Sequence, residues 1–459
     1  MKPVARFLHQ AMSKTSLFIL IIAASRQTIA QPLQWERASG TEGTSPFHIS
    51  IYAADPDTLF ANGDHLLMST DRGEHWDSIA FGTILGVIEV DPFNSKHLIA
   101  NETGTPFDGN AVRISTDCGQ SWKQVFDGIC HSKSGCAAPV VEFDPVDPNL
   151  TYVDVNPALV FRSSNQWATW DSFPVPIQLG LSSIAVSPSD NQIMFVGYGS
   201  PTAVFKSTDG GQTWDQLLFP ISQDYTPVLL AVHPTSSETV YAGVYPYGMY
   251  KTTDGGTTWL EINNGLDLEN RDVRDILINP KNPEEIFIAL GDDNPFDGRS
   301  DLVYVTGDGG YGWSPFTVGL PCHGSVNSLI MDPERYRLYA AVVSSSDSVD
   351  SSGVYVFDAK IEEVGDDGPI TPQVAYLYQN HPNPFNNETR VSFALEKRSR
   401  VRIKIRSLLG ETITTLVDAE RGVGFHTVVF NGEDVSSGIY FYTLELEGFT
   451  RTRRMVFLK

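Results

Sequence analysis

Residues 207–214 read STDGGQTW, and this phrase recurs along most of the chain. The other copies are STDRGEHW at 69–76, STDCGQSW at 115–122, SSNQWATW at 163–170, TTDGGTTW at 252–259 and TGDGGYGW at 306–313. Their starts lie 46, 48, 44, 45 and 54 residues apart. A period in the forties, with several short strands in each unit, is the pattern of a β-propeller blade. Within the phrase, Asp209 is placed to accept N–H groups of its own turn. Gly210 and Gly211 supply backbone conformations that other residues reach at a cost. Trp214 returns an indole to the apolar layer. Asp71, Asp117, Asp254 and Asp308 repeat the acid, and Trp76, Trp122, Trp170, Trp259 and Trp313 repeat the indole. The third copy has Asn165 for the acid and Gln166–Trp167 in the place of the glycines, yet keeps Trp170. A repeat that loses its acid and keeps its tryptophan is a scaffold turn, so these aspartates are read as structural.

A second repeat runs out of phase with the first. Apolar segments such as VIEV, IAV and ILI close on Pro56, Pro92, Pro145, Pro188, Pro234, Pro280 and Pro333, and another apolar run follows each. Alternation, a proline turn and a second strand make a hairpin. Seven hairpins predict seven blades. The last has no tryptophan turn after GVYVFDA at 353–359, whereas LQWERASG at 33–40 resembles the segments that follow the turns elsewhere. The N-terminal segment is therefore expected to be the outer strand of the last blade, with Trp35 in the usual tryptophan place, closing the ring.

The expected class is all-β: a seven-bladed propeller over 31–360, a linker over 361–375 and a small antiparallel sandwich over 376–459. Before it, 1–30 reads as a secretory signal. Lys2, Arg6 and Lys14 precede an apolar run at 17–24, and Thr28 and Ala30 are small residues before Gln31. The run is too short to span a membrane, and no later stretch reads as a transmembrane segment. Four cysteines do not make a disulfide scaffold, but Cys130 and Cys136 flank a short loop and are the candidate pair. Cys118 and Cys322 are expected to be reduced. The linker is acidic, with Gly and Pro, and reads as a mobile join to a sandwich the propeller does not need for folding.

Residues 31–375 hold 46 acidic and 16 basic residues, a net −30, while 376–459 hold 9 and 12, a net +3. So negative a propeller argues against nucleic acid and anionic lipid as partners. A monomer is expected.

The C-terminal region, with YLYQNHPNPFNNETRVSFAL, VRIKIRSLLGETITTLV, GFHTVVFNG and SSGIYFYTLELEGFTRTRRMVFLK, resembles the type A sorting domain of proteins exported by the type IX secretion system. Asn383, Pro384, Phe385, Asn386, Gly410, Gly438, Tyr440 and the RRMVFLK tail carry the resemblance. It implies dealings with the type IX machinery, and release or surface attachment of the protein, with the sorting domain usually removed. The tryptophan turns resemble the Asp-box, or BNR, repeats of sialidases, tandem-propeller glucan hydrolases, sortilin-like receptors and photosystem assembly factors. That family hosts enzymes and binding proteins alike. A sialidase needs an arginine triad, but Arg72, Arg113, Arg162, Arg335 and Arg337 fall in or near turns at the wrong end of the ring.

Ligand loops are expected between second and third strands, at the end opposite the tryptophan turns. They offer the acids Glu102, Asp108, Asp292, Asp293 and Asp297 and the aromatic faces Phe107, Tyr198, Tyr245, Tyr247 and Phe296. Acids beside exposed aromatics suit sugar stacking or, with two carboxyls about 5–9.5 Å apart, glycoside hydrolysis. No catalytic residue is assigned. No cofactor is expected, although the acidic run 291–301 is compatible with calcium. The expected function is an exported module binding a polysaccharide or protein, the alternative a glycoside hydrolase acting on a β-glucan.

Overall fold

A computed structural model describes residues 34–457 apart from 43, 47, 53–54, 64, 80–84, 103–109, 130–139, 157–158, 178–180, 200, 222–227, 268–270, 293–301, 322, 345–350, 359–374, 378–379, 381–384, 396, 408–410, 423 and 433–434. The proposed signal 1–30, residues 361–374 of the linker and both cysteines of the candidate pair lie outside the described residues, as does Cys322. Cys118 is a free thiol.

The described residues contain no α-helix and form antiparallel sheets throughout. Between residues 35 and 358 there are seven four-stranded sheets. Sheets one to six span 48–79, 85–129, 140–174, 183–216, 228–261 and 271–315, and sheet seven spans 324–358 with one added strand. The first strand of each sheet packs against the first strand of the next, and that of sheet seven against that of sheet one. The result is a β-propeller around an axis lined by first strands.

Burial explains the sequence pattern. In sheet five the first strand, Val228–His233, alternates buried and half-buried residues, because one of its faces looks toward the axis. The second and third strands of sheet four, Met194–Gly199 and Thr202–Ser207, are almost wholly buried, since a neighbouring sheet covers each face.

The tryptophan turns share one geometry. Asp209 Oδ1 accepts Thr213 N–H at 2.9 Å and the Ser207 hydroxyl at 2.8 Å, while Ser207 Oγ accepts Gly211 N–H at 2.9 Å. The turns at Asp71, Asp117, Asp254 and Asp308 repeat these bonds. So does the third copy, where Thr169 N–H reaches Asn165 Oδ1 at 2.9 Å and Trp167 N–H reaches Ser163 Oγ at 2.9 Å. Gln166 and Trp167 adopt φ of 53° and 69°, the left-handed pair that glycines supply in the fourth, fifth and sixth copies. The third turn is therefore altered in sequence and intact in shape. The turns at Asp71, Asp117, Asp209, Asp254 and Asp308 also meet the proline hairpin of their own sheet, as Gly210 N–H does at Gln192 O, 3.0 Å. Both turn types thus lie at one end of the ring.

Neighbouring sheets are tied through the same turns. Arg162 Nη1 donates to Gly210 O at 3.1 Å, and Lys251 Nζ to Gly309 O at 3.0 Å. Tyr339 of sheet seven donates to Arg72 O of sheet one at 2.9 Å. Strand Trp35–Arg37 pairs antiparallel with Gly353–Asp358, so the N-terminal segment is the outer strand of sheet seven. Trp35 repeats the contacts of Trp313. Its N–H and Nε1 donate to Val318 O and Phe316 O (2.8 and 2.9 Å), as those of Trp313 donate to Asn264 O and Ile262 O (3.0 and 2.8 Å). Gly319, at φ +100°, allows this approach, because a Cβ there would stand 2.2 Å from Trp35 O.

The C-terminal region is a two-sheet sandwich. Strands Ala375–Leu377, Glu388–Leu395 and Gly424–Asn431 form one layer. The other has the order Thr412–Arg421, Ser399–Ser407, Gly438–Leu446, Phe449–Phe457. Phe393, Ile403, Tyr442, Leu444 and Met455 lie in its buried core. It is not a detached appendage, and the expectation of a join without an interface is corrected here. Residues 33–459 form one compact unit. In strand Glu388–Leu395, Val391, Phe393 and Leu395 point into the sandwich, while Ser392 and Ala394 face the propeller.

Candidate functional site

Loops between second and third strands lie at the end away from both turn types, and there the candidates divide. Phe107, Asp108, Asp293, Phe296 and Asp297 lie outside the described residues. Glu102 ends strand Leu98–Glu102 opposite Ala111, and Asp292 ends strand Ile286–Asp292 opposite Arg271. Tyr198 does not offer the expected open face. It is 3% exposed, packed with Val160, Ile184 and Phe205 in the layer between sheets three and four. Alternation puts its ring on a covered face of the strand.

Tyr245 and Tyr247 stand on the turn joining the second and third strands of sheet five. The Tyr245 ring is 39% exposed. Tyr247 is half-buried against the sheet four–five layer, and its carbonyl accepts Asn263 Nδ2 at 2.8 Å. Asn263 Oδ1 in turn accepts Met249 N–H at 2.7 Å, so one side chain clamps both sides of Gly248. The clamp holds an exposed aromatic on a rigid base.

A second group sits on the first strands around the axis, and sequence reading missed it. His48 Nε2 of sheet one lies 3.2 Å from Glu89 Oε1 of sheet two. The Ser50 hydroxyl donates to Glu89 Oε2 at 3.2 Å and accepts Val90 N–H at 3.1 Å. Burial pushes the Glu89 carboxyl up to about 8, against the lowering effect of Ser50. Glu142 of sheet three is raised well above its ordinary value, by burial first and then by Glu89 and Asp144. Burial lowers His48, with the Asp275 charge opposing it. Asp275 of sheet six is raised by burial, although its oxygens accept Leu329 N–H at 2.7 Å and Ile276 N–H at 2.8 Å. The axial carboxyls Glu89 and Glu142 are thus held toward their neutral forms. A polar residue inside an apolar strand, as in VIEV and VVEF, was the signal available for them. Among the described residues no group of three His, Cys, Asp or Glu could hold a metal ion.

Arg72 pairs with Asp57, Arg162 holds the next turn, and Arg337 pairs with Glu74 at 2.8 Å.

Residues 379–458 match the family described as the secretion system C-terminal sorting domain. The chain carries a type IX sorting domain. The protein is exported by the type IX route and is either released or attached to the cell surface. The sorting domain is the sandwich, and it bears the Phe385 and Tyr440 that first suggested it. A comparison with curated proteins finds no match. Among solved structures, the Niastella koreensis GH74 enzyme is similar at 14% identity and a TM-score of 0.53, over 91% of this chain and 74% of that one. YCF48 bound to D1 peptide is similar at 14% identity and a TM-score of 0.49, over 71% and 96%. At such identities the GH74 likeness supports the propeller fold and nothing about activity. No helix among the described residues is long and apolar enough to cross a membrane.

Proposed function

We propose that the protein is an exported seven-bladed Asp-box propeller whose end opposite the tryptophan turns binds an extracellular polysaccharide or protein. In this reading 1–30 is the signal, 31–360 the propeller, 361–375 the linker and 376–459 the sorting domain. The observation that carries it is the Tyr245 ring, exposed on a turn that Asn263 clamps. A rigid exposed aromatic loses little entropy when it stacks on a sugar face or an apolar side chain. Its own loop lies at the same end as the strand ends Glu102 and Asp292.

The test is a glycan array, with pull-downs from surface extracts, on the mature protein and on Tyr245→Ala. Binding by the parent that falls about tenfold or more in Tyr245→Ala supports the reading. Silence of the parent in both assays, together with release of reducing sugar from a β-glucan, would instead establish the hydrolase alternative. Asp292→Asn and Asp297→Asn should then abolish that release.

A further inference from the structure

The tryptophan turns are not equivalent at the fourth position after the acid. That residue is His75, Ser121, Thr169, Thr213 or Thr258 in the first five copies and Gly312 in the sixth. In the second, fourth and fifth copies its hydroxyl donates to the second oxygen of the aspartate, at 2.5, 2.6 and 2.7 Å. In the first, the His75 ring takes that oxygen at 2.6 Å. Gly312 has nothing to offer Asp308 Oδ2, and the missing donor comes from the sorting domain: Arg390 Nε stands 3.3 Å away. The space is shaped for it, since a Cβ on Gly312 would lie 1.9 Å from Arg390 Nε.

Other contacts surround this one. The Ser314 and Ser392 hydroxyls meet at 3.3 Å in a buried position, and Ser392 reaches Thr427 at 3.1 Å. Ala394 joins the apolar cluster of Trp35, Phe316 and Phe357. Arg390 is 11% and Asp308 26% exposed, so solvent screens the pair less than a surface ion pair.

We infer that the sixth tryptophan turn is a receptor for the sorting domain, with Arg390 as its key, and that the sorting domain stays bound to the propeller after the linker is cut. A turn that only closed its own hairpin would keep a side chain that bonds the acid, as its sister copies do. Loss of that side chain at one turn, opposite an arginine that supplies the missing bond, makes a complementary pair.

The experiment uses the full mature chain with a protease recognition site placed within 361–373. After cutting, the fragments are run on size exclusion and checked by circular dichroism. The parent fragments are expected to co-elute. Gly312→Ser, which restores the side chain of the second copy and evicts the arginine, is expected to separate them, weakening association at least about tenfold. The melting temperature of its propeller should not fall, because the new hydroxyl satisfies Asp308. Arg390→Ala, which leaves the sixth turn itself untouched, should separate them as well. Folded parent fragments that elute apart would overturn the inference, as would co-elution that neither substitution disturbs.

Discussion

At the residue scale the turn aspartates and the axial glutamates respond to pH in opposite senses. Asp254 is lowered to about 2 by the backbone and hydroxyl of Thr258 and the hydroxyl of Thr252. Asp71 also falls to about 2: burial opposes the change, and bonds from His75 and Ser69 outweigh it. Asp117 and Asp209 are lowered in the same way. A depressed carboxylate contributes stability above its unfolded pKa near 4 and loses it as pH falls through the folded value. Denaturant midpoints should therefore decline from about pH 4 toward 2, and less steeply in Asp254→Asn. Glu89 works the other way. Raised from 4.5 to about 8, it contributes fully below 4.5 and loses that contribution as pH rises through 8. Glu89→Gln should flatten this loss and be more stable than the parent at pH 9, measured by urea denaturation at pH 5, 7 and 9; equal slopes would contradict the assignment. At the third turn, Gln166 is exposed and held at φ 53°. Gln166→Gly should stabilise the protein by about 0.5–1 kcal/mol, because an L side chain in this region is strained.

At the scale of the element, strand Trp35–Arg37 is short but closes the ring. It covers the edge of Gly353–Asp358, and Trp35 is buried among Phe316, Phe357 and Val303. Trp35→Ala should cost about 3–5 kcal/mol, the range for a large aromatic removed from a packed core. A chain beginning at residue 41 should melt well below the intact one and associate, since an uncovered edge invites pairing. Melting equal to the parent's would show that sheet seven closes without it. This strand was legible in the sequence because LQWERASG repeats TWLEINNG, down to the glycine that lets the next tryptophan carbonyl approach. The axial acids were less legible. Hydropathy reads VIEV as a strand and gives no sign that Glu89 meets His48 from another sheet. Tyr198 failed for a related reason: a residue near a loop reads as exposed until the neighbouring sheet is seen to cover it. The arginine lock was half legible, since Gly312 departs visibly from its sister positions, but its partner lies 78 residues further on.

At the scale of the molecule, the two layers of the sorting domain hold separate contacts. The layer containing Glu388–Leu395 and Gly424–Asn431 faces the propeller, through Arg390, Ser392 and Thr427. The last strand, Phe449–Phe457, belongs to the other layer and pairs along its length with Gly438–Leu446. It buries Met455 and Phe457, and the Phe457 ring lies 4.8 Å from that of Phe385. Deleting residues 449–459 would uncover Tyr442 and Leu444 and remove one wall of the sandwich core. A small sheet pair deprived of two core side chains cannot offset its chain entropy. The sandwich should therefore unfold while the seven sheets of the ring persist, since they close on Trp35–Arg37 and need nothing from residue 449 onward. The truncated protein should be absent from the culture supernatant and cell surface and accumulate inside the cell envelope. Its tryptophan-reported unfolding should still be cooperative, because the tryptophans all lie in the ring, at positions 35 to 313. Truncated protein found outside the cell at the parent's level would mean that export does not read the last strand. Loss of the cooperative transition would mean that the ring depends on the folded sandwich.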